Sequence, residues 1–141
     1  MASGELASKT LHALRELLDA KAISPVELLD DVLEAIERGN PSLHAYLEID
    51  PDRLRHQASA LPALGIGTGG RLAGIPLTVK DNICIRGEEV ACGSRILQGF
   101  RSPYDATVVE RLKREGAVLI PRANMDEFAF GSSTETSHFG P

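Results

Sequence analysis

Two short segments hold the side chains of this chain that are best suited to chemistry. The first is residues 72–82 (LAGIPLTVKDN), in which an apolar run leads to Lys80. The second is residues 124–135 (NMDEFAFGSSTE), whose last part is small and rich in hydroxyl groups: Gly131, Ser132, Ser133 and Thr134. A neutral lysine can accept a proton from a serine that attacks a carbonyl, so one hypothesis is a dyad of Lys80 with Ser132 or Ser133.

The chemistry open to Lys80 depends on the strand that carries it. If the segment is extended, Ile75, Leu77 and Val79 point to one face, while Thr78 and Lys80 point to the other. The ammonium then lies at a strand end, where α/β proteins gather their ligands, although a lysine there can equally extend into solvent. Only a closed apolar site favours the neutral amine that a base requires, so this chemistry needs further structure packed over the lysine.

Asp81 and Asn82 directly follow the lysine and are typical of a turn that ends a strand. Asp81 lies on the opposite face from Lys80 if the strand continues, so we predict that it forms the turn rather than an ion pair. A carboxylate close to Lys80 would favour the charged ammonium, which is the wrong direction for a base.

The N-terminal third is predicted to form two helices. The first carries leucines at helical spacing: Leu11, Leu14, Leu17 and Leu18. The second begins at Ser24, where Glu27 completes a capping box and Pro25 takes the first helical position. We expect this helix to end at residues 39–41 (GNP), because glycine and proline stop helices. Its apolar face is predicted to be Leu29, Val32, Leu33 and Ile36.

The middle of the chain reads as a strand, a helix and a connector. Residues 43–49 alternate between apolar and polar side chains, as a half-buried strand does, and the Asp-Pro pair at residues 50–51 predicts a third helix to about residue 60. Residues 65–71 (GIGTGGR) predict a flexible connector. A phosphate-binding loop is rejected there, because the spacing and the Lys-Ser/Thr ending of a P-loop are missing.

Beyond the connector, strands and helices alternate. Strands are predicted over residues 75–79 and 117–120, with a helix ended by Gly116 between them. Asn124 and Glu127 predict a second capping box on a short helix. The predicted fold class is therefore α/β: an N-terminal helical arm plus the first part of a mixed, largely parallel β-sheet flanked by helices.

These elements suggest a division of the chain into three parts. We assign residues 1–64 to a helical arm with one strand, residues 65–71 to the connector and residues 72–141 to the start of an α/β domain. Two or three strands with attached helices leave sheet edges and apolar faces without partners. We therefore expect the α/β part to be an incomplete piece of a larger domain.

Composition limits the classes of function. The formal charge of −5 argues against a surface that binds nucleic acid by counterion release. No apolar run is long enough to cross a bilayer, the N-terminus lacks a secretory pattern, and Cys84 and Cys92 read as reduced thiols, so we expect a cytoplasmic protein. The histidines have no ligand-spaced partners, so no metal site is expected: His12, His44, His56 and His138.

The two chemical segments, together with the paired N-terminal helices, resemble the start of the amidase-signature enzymes over nearly the whole chain. Within that family, MDEFAFGSSTE is most similar to the A subunits of the glutamyl-tRNA(Gln) or aspartyl-tRNA(Asn) amidotransferases, although Arg122 stands where many relatives carry lysine. The resemblance implies that Lys80 is the proton-transfer end of a Ser–cis-Ser–Lys triad and that residues 131–134 bind the substrate amide. It also implies that both serines lie beyond Pro141, so we expect the chain as given to be inactive alone.

The same resemblance implies partners, namely the B and C subunits of a heterotrimeric amidotransferase. Glutamine would acylate the nucleophilic serine, and ammonia would pass to the B subunit, which amidates tRNA-bound glutamate or aspartate with ATP and Mg²⁺. The C subunit would bind along the A subunit, the B subunit would hold most of the charged tRNA, and the A subunit itself would need no cofactor and no membrane. Two alternatives stay open: a free-standing amidase of the same family and, in another class, a non-catalytic binding piece or unstable remnant.

Overall fold

In the computed structural model, which describes residues 5–61 and 70–141, a helical N-terminal part is followed by a pair of strands. The elements are α1 (Leu11–Asp19), α2 (Pro25–Leu43), α3 (Pro51–Ala60), β1 (Pro76–Lys80), α4 (Thr107–Arg114) and β2 (Val118–Ala123). Short 3₁₀ helices lie at Arg95–Leu97 and Glu127–Ala129. Two compact units alternate along the sequence: Met1–Gly39, Asp50–Leu77 and Leu112–Leu119 form the first unit, and Asn40–Ile49, Thr78–Arg111 and Ile120–Pro141 form the second.

The core of the first unit gathers leucines from α1 and α2, as their spacing predicts. Leu14 and Leu18 of α1 are buried together with Leu28 of α2 and Ile75. Leu11, which was expected on the same face of α1, is 45 % exposed. Because α1 has only nine residues, apolar side chains from two of its turns are enough to pack it against α2.

The start of α2 follows the predicted capping box. Ser24 Oγ accepts the N–H of Glu27 at 3.2 Å, and Glu27 Oε2 accepts the N–H of Ser24 at 2.7 Å. This reciprocal pair satisfies two N–H groups that a helix start leaves without partners. The prediction for this end of the helix is confirmed.

The predicted end of α2 at residues 39–41 is wrong. The helix continues to Leu43 with Pro41 inside its last turn. Proline has a backbone φ that suits a helix, and so close to the end its missing N–H removes a single hydrogen bond. The helix ends where His44 takes a left-handed φ of 47°, a conformation common directly after a helix.

The strand predicted over residues 43–49 is also wrong. Leu43 belongs to α2, and this segment makes one isolated antiparallel bridge, between Tyr46 and Ala123. The Asn40 side chain accepts the N–H of Tyr46 at 2.8 Å and donates to the Tyr46 carbonyl at 2.9 Å. Because one amide side chain satisfies the backbone groups that a neighbouring strand would take, the alternating pattern does not extend into a strand.

The strands β1 and β2 pair in parallel, which confirms the predicted fold class. The N–H of Val118 donates to the Ile75 carbonyl at 2.9 Å, and the N–H of Asp81 donates to the Ala123 carbonyl at 3.1 Å. Five successive residues of β2 are buried, from Val118 onward, as expected for a strand that is covered on both faces. The α4 helix lies between the two strands in sequence, as a parallel connection requires.

The predicted domain boundaries and connector are not tested by these elements. Most of the predicted connector over residues 65–71 falls outside the described residues, and the division at residues 64 and 71 stays a prediction. Within the described ranges, no helix is both long enough and apolar enough to cross a membrane.

Candidate active site

Lys80 is the last residue of β1, where the sequence predicts it. Val79 is 4 % exposed, whereas the side chains of Thr78 and Lys80 lie on the exposed face, so the predicted alternation is confirmed. Across residues 5–61 and 70–141, no carboxylate forms an ion pair with Lys80. The amine is therefore presented on the exposed face of β1 and is not held by a neighbouring anion.

Asp81 lies in the turn that follows β1, as predicted, but the prediction that it forms no ion pair is wrong. Its side chain is only 1 % exposed, and Arg122 Nε donates to Oδ1 at 3.0 Å. The second oxygen, Oδ2, accepts the N–H groups of Ala91 at 3.2 Å and Gly93 at 3.4 Å. The pairing of Asp81 N–H with β2 points this carboxylate away from Lys80 and toward Arg122.

Arg122 joins three carboxylates at the end of β2. It is 7 % exposed, and Nη1 donates to Glu48 Oε2 at 3.2 Å. Nη2 lies 3.2 Å from Glu89 Oε1, but the angle is unsuitable for a hydrogen bond, so this buried atom has no hydrogen-bond partner among the described residues. The guanidinium also lies 5.5 Å from the centre of the Phe139 ring. Arg122 has a left-handed φ of 63°, which few non-glycine residues adopt without surrounding contacts that enforce it.

Burial dominates the electrostatics of Asp81. Loss of water raises the pKa of the Asp81 carboxyl, and the hydrogen bond and charge of Arg122, with the two backbone N–H groups, only partly oppose that rise. Burial also raises the pKa of the Cys92 thiol, and the charge of Asp81 raises it further. A raised pKa keeps the Cys92 thiol protonated, which makes it a poor nucleophile.

The loop that contains the predicted substrate-binding residues is folded around Asp126. This side chain is 5 % exposed, and its Oδ2 accepts the N–H groups of Ser133 at 3.0 Å and Thr134 at 2.8 Å. Its Oδ1 accepts the N–H of Thr136 at 3.1 Å and the hydroxyl of the same residue at 2.9 Å. These hydrogen bonds, led by those from Thr134 and Thr136, lower the pKa of Asp126 to about 2.

Residues 131–134 of this loop differ in their contacts and in their exposure to solvent. A Cβ atom at Gly131 would lie 2.4 Å from Asp126 Cγ, so the loop approaches the carboxylate too closely for any side chain there. Ser133 Oγ donates to Glu135 Oε2 at 2.6 Å, whereas Ser132 is exposed. Thr134 has a left-handed φ of 67°. The hydroxyl of Ser133 thus has an acidic partner within the loop, which does not favour the dyad hypothesis for that serine.

The second capping box, predicted for Asn124 and Glu127, is wrong. The Asn124 side chain binds the chain around it: Oδ1 accepts from the Ser137 hydroxyl at 2.7 Å, and Nδ2 donates to the His44 carbonyl at 3.0 Å. Glu127 Oε1 accepts from the Ser94 hydroxyl at 2.6 Å. Both side chains form hydrogen bonds with residues distant in sequence instead of capping a helix, so only the short 3₁₀ helix Glu127–Ala129 forms.

Lys80 and residues 131–134 both belong to the second unit. The sequence predicts these residues from their types, but it gives no role to Arg122 or to the carboxylate of Asp126. The only sequence signal for Asp126 is an aspartate shortly before a run of glycine and hydroxyl residues, which is typical of a side chain that binds its own loop. Nothing local signals Arg122, whose partner Asp81 lies 41 residues away. In the described part of the chain, no cluster of His, Cys, Asp and Glu is placed to hold a metal ion.

Comparison with known proteins gives consistent matches. A family model described as Amidase matches residues 27–141. The A subunit of the glutamyl-tRNA(Gln) amidotransferase of Halothermothrix orenii is 46 % identical over 137 residues, which is 97 % of this chain and 28 % of that protein. The crystal structure of the protein of the same name from Thermotoga maritima matches with a TM-score of 0.75 and 32 % identity, over 97 % of this chain and 27 % of that one. The native peptide amidase of Stenotrophomonas maltophilia matches with a TM-score of 0.77 and 33 % identity, over 89 % of this chain and 26 % of that one.

This chain therefore spans about 28 % of the length of the curated relative from Halothermothrix orenii. The family model covers most of the chain, including β1 with Lys80 and the loop around Asp126. The chain belongs to the Amidase family.

Proposed function

We propose that this chain is the N-terminal part of the glutamine-hydrolysing subunit of a tRNA-dependent amidotransferase. One observation carries the proposal: Lys80 ends β1 without an ion pair among the described residues, because the carboxylate next to it in sequence is bound by Arg122. A lysine that must accept a proton is needed in its neutral form, and an adjacent free carboxylate would stabilise the charged form instead. The names of the similar proteins support amidotransfer as the reaction.

In the proposed reaction, Lys80 takes the proton that a second serine relays from the nucleophilic serine. The serine oxygen forms a bond to the side-chain carbonyl carbon of glutamine, the C–N bond breaks, and ammonia leaves with the relayed proton. Residues 131–134 line the glutamine pocket, and Ser132 offers its exposed hydroxyl there. Both serines of the triad belong to the remainder of the full-length protein, so the 141-residue chain alone is expected to release no ammonia.

We propose the partners of the heterotrimer on the same basis. The B subunit uses ATP and Mg²⁺ to activate tRNA-bound glutamate or aspartate, and the C subunit joins it to the glutamine-hydrolysing subunit. The chain has a net charge of −5, so most of the tRNA contact is assigned to the B subunit. The reaction is proposed to take place in the cytoplasm.

The test is ammonia release from glutamine by the full-length protein in complex with its partners. Lys80→Ala is expected to lower kcat by about 10²–10⁴-fold, the usual contribution of a positioned proton acceptor. Lys9→Ala is the matched control, since Lys9 forms a surface ion pair with Glu5 at 3.5 Å and its loss removes the same charge. Equal activity of the Lys80→Ala variant and the wild type would refute the proposed role of Lys80.

A free-standing amidase is the second candidate, and the similarity to the peptide amidase of Stenotrophomonas maltophilia favours it. The two candidates differ in what they require. A glutamine-hydrolysing amidotransferase component transfers ammonia to tRNA-bound glutamate or aspartate only with its partners, whereas a free-standing amidase hydrolyses its amide substrates alone. Assays of the full-length protein with and without the B and C subunits therefore separate them.

The alternative of a non-catalytic binding piece concerns the chain on its own. Phe130 is 91 % exposed, Ile96 is 80 % exposed and Leu43 is 71 % exposed, so the chain presents large apolar side chains to solvent. We expect the isolated 141-residue chain to bind hydrophobic dyes and to aggregate. A cooperative melt of a compact monomeric chain without dye binding would overturn this expectation.

A further inference from the structure

We infer that Asp126 is the positioning residue that gives the substrate loop of this chain its shape, and thereby sets the affinity for the amide substrate. The inference rests on the proposed function, which places the substrate beside residues 131–134. Asp126 is 5 % exposed, yet no described lysine, arginine or histidine forms an ion pair with it. A buried carboxylate without a cation is costly unless hydrogen bonds satisfy its oxygens.

The loop itself supplies those hydrogen bonds. Four donors converge on the two oxygens of Asp126 at 2.8–3.1 Å, and three of them are the backbone N–H groups of Ser133, Thr134 and Thr136. Successive N–H groups that point at one anion make a concave turn, which binds the anion only in a particular loop conformation. The carboxylate therefore acts as an internal ligand around which the loop folds.

A second observation, independent of those hydrogen bonds, is the close approach of Gly131. A Cβ atom at this position would lie 2.4–2.7 Å from three atoms of the Asp126 carboxyl group. This approach is possible only for glycine, and it brings the start of the loop over the same carboxylate that binds its later residues. The two contacts enclose Ser132 between Gly131 and Ser133 and so fix where its exposed hydroxyl is presented.

The arrangement also limits what the loop can offer a substrate. The N–H groups of Ser133 and Thr134 are used by Asp126, and the Ser133 hydroxyl is used by Glu135. Those two N–H groups are therefore not available to bind the substrate amide. Ser132 and the side chain of Thr134 remain for the substrate, and both lie in the loop that Asp126 holds, so a change at Asp126 is expected to act on substrate binding.

The experiment uses Asp126→Asn and Asp126→Ala in the full-length protein assembled with its partners. Asparagine keeps one acceptor oxygen but turns an NH₂ group toward N–H donors, so it retains part of the contacts, whereas alanine retains none. We expect the KM for glutamine to rise roughly 10–100-fold in the alanine variant, about the effect of losing one polar contact to the substrate, with a smaller rise for asparagine. The kcat is expected to change much less than KM, because Lys80 is untouched.

Asp50→Ala is the matched control, because Asp50 also binds a backbone N–H group, that of Arg53 at 3.0 Å, but in the first unit. A variant that merely loses stability should leave KM unchanged, as we expect for this control. If Asp126→Ala does not fold, Gly131→Ala perturbs the same contact from the other side and is expected to raise KM. An unchanged KM in the Asp126 variants, or an equal loss in kcat alone, would overturn the inference.

Hydrogen exchange separates this inference from the proposed function. Exchange of the amides of Ser133, Thr134 and Thr136 is expected to become faster in Asp126→Asn whether or not the protein hydrolyses glutamine. Wild-type protein that releases no ammonia would overturn the proposed function and leave the loop measurement intact. Unchanged exchange at these three amides would overturn the role of Asp126 even in an active enzyme.

Discussion

The buried pair of Arg122 and Asp81 makes a quantitative prediction for the variant Arg122→Met, which keeps the bulk of the side chain and removes its charge. The substitution leaves Asp81 1 % exposed with two backbone N–H groups as its remaining partners, at 3.2 and 3.4 Å. Removing one partner of a buried ion pair typically costs about 3–5 kcal/mol. Asp81 can instead become protonated and lose its charge. At pH 7, protonating a carboxyl with a reference pKa of about 3.9 costs about 4 kcal/mol. The two estimates agree on a loss of roughly 3–4 kcal/mol at neutral pH.

The stability lost in the Arg122→Met variant depends on pH. Burial already raises the pKa of Asp81 in the wild type, and Arg122 is the main influence that opposes the rise. Without Arg122 the folded-state pKa rises further, so stability is highest below the unfolded-state pKa and is lost as the pH increases toward the folded-state value. At pH 5, protonation costs only about 1.5 kcal/mol, so the variant should recover much of its loss there.

The assay is hydrogen exchange of the full-length protein, followed over the peptides that contain Asp81, Ala91 and Gly93. A loss of about 3–4 kcal/mol corresponds to exchange roughly 10²–10³-fold faster at pH 7, after correction for intrinsic rates. Arg55→Met is the control, because Arg55 also meets two carboxylates, at 2.7 and 3.2 Å, but on an exposed surface. Such surface pairs contribute about 0–1 kcal/mol. Equal protection of the Arg122→Met variant and the wild type at pH 7, or a penalty independent of pH, would refute the reasoning.

Three further predictions concern local contacts. Lys21→Gly should stabilise the chain by about 1 kcal/mol, because Lys21 follows α1 with a left-handed φ of 53° that suits glycine, and a urea titration of the full-length protein measures this. In the same titration Ser24→Ala should cost about 0.5–2 kcal/mol through loss of the α2 cap, with Ser24→Thr much closer to the wild type. The pKa of Asp126 is lowered to about 2, so the ionised carboxylate stabilises the loop fully above the ordinary carboxyl range. This stabilisation is expected to be lost as the pH falls from about 4 toward 2. Hydrogen exchange measures it, and a Thr134 amide that is equally protected at pH 2 would contradict the prediction.

Contacts between residues close in sequence were predictable from the sequence, whereas contacts between distant residues were not. The capping box at Ser24 was predictable because both of its hydrogen bonds join residues three positions apart. The alternation that exposes Lys80 and buries Val79 was predictable for the same reason, since adjacent residues of a strand face opposite sides. The length and apolar character of β2 also marked it as a strand covered on both faces.

The errors arose where a side chain other than the expected partner formed the hydrogen bond. Residues 43–49 have the alternation of a strand, but the Asn40 side chain binds both backbone groups of Tyr46. Glu127 is spaced for a capping box with Asn124, but it accepts from Ser94, 33 residues earlier. Local spacing shows which hydrogen bonds are possible, whereas the fold decides which competing partner is close enough to form one.

The sequence by itself determined that Lys80 ends an apolar strand, that a loop of glycine and hydroxyl residues follows farther on, and that both match one family. Only the tertiary structure decided what keeps the lysine without a carboxylate partner and what shapes the loop. Asp81 turns to Arg122 because the parallel pairing of β1 with β2 brings together residues 41 positions apart. Asp126 binds the loop because burial removes water from its carboxylate and leaves the backbone N–H groups of that loop as its donors.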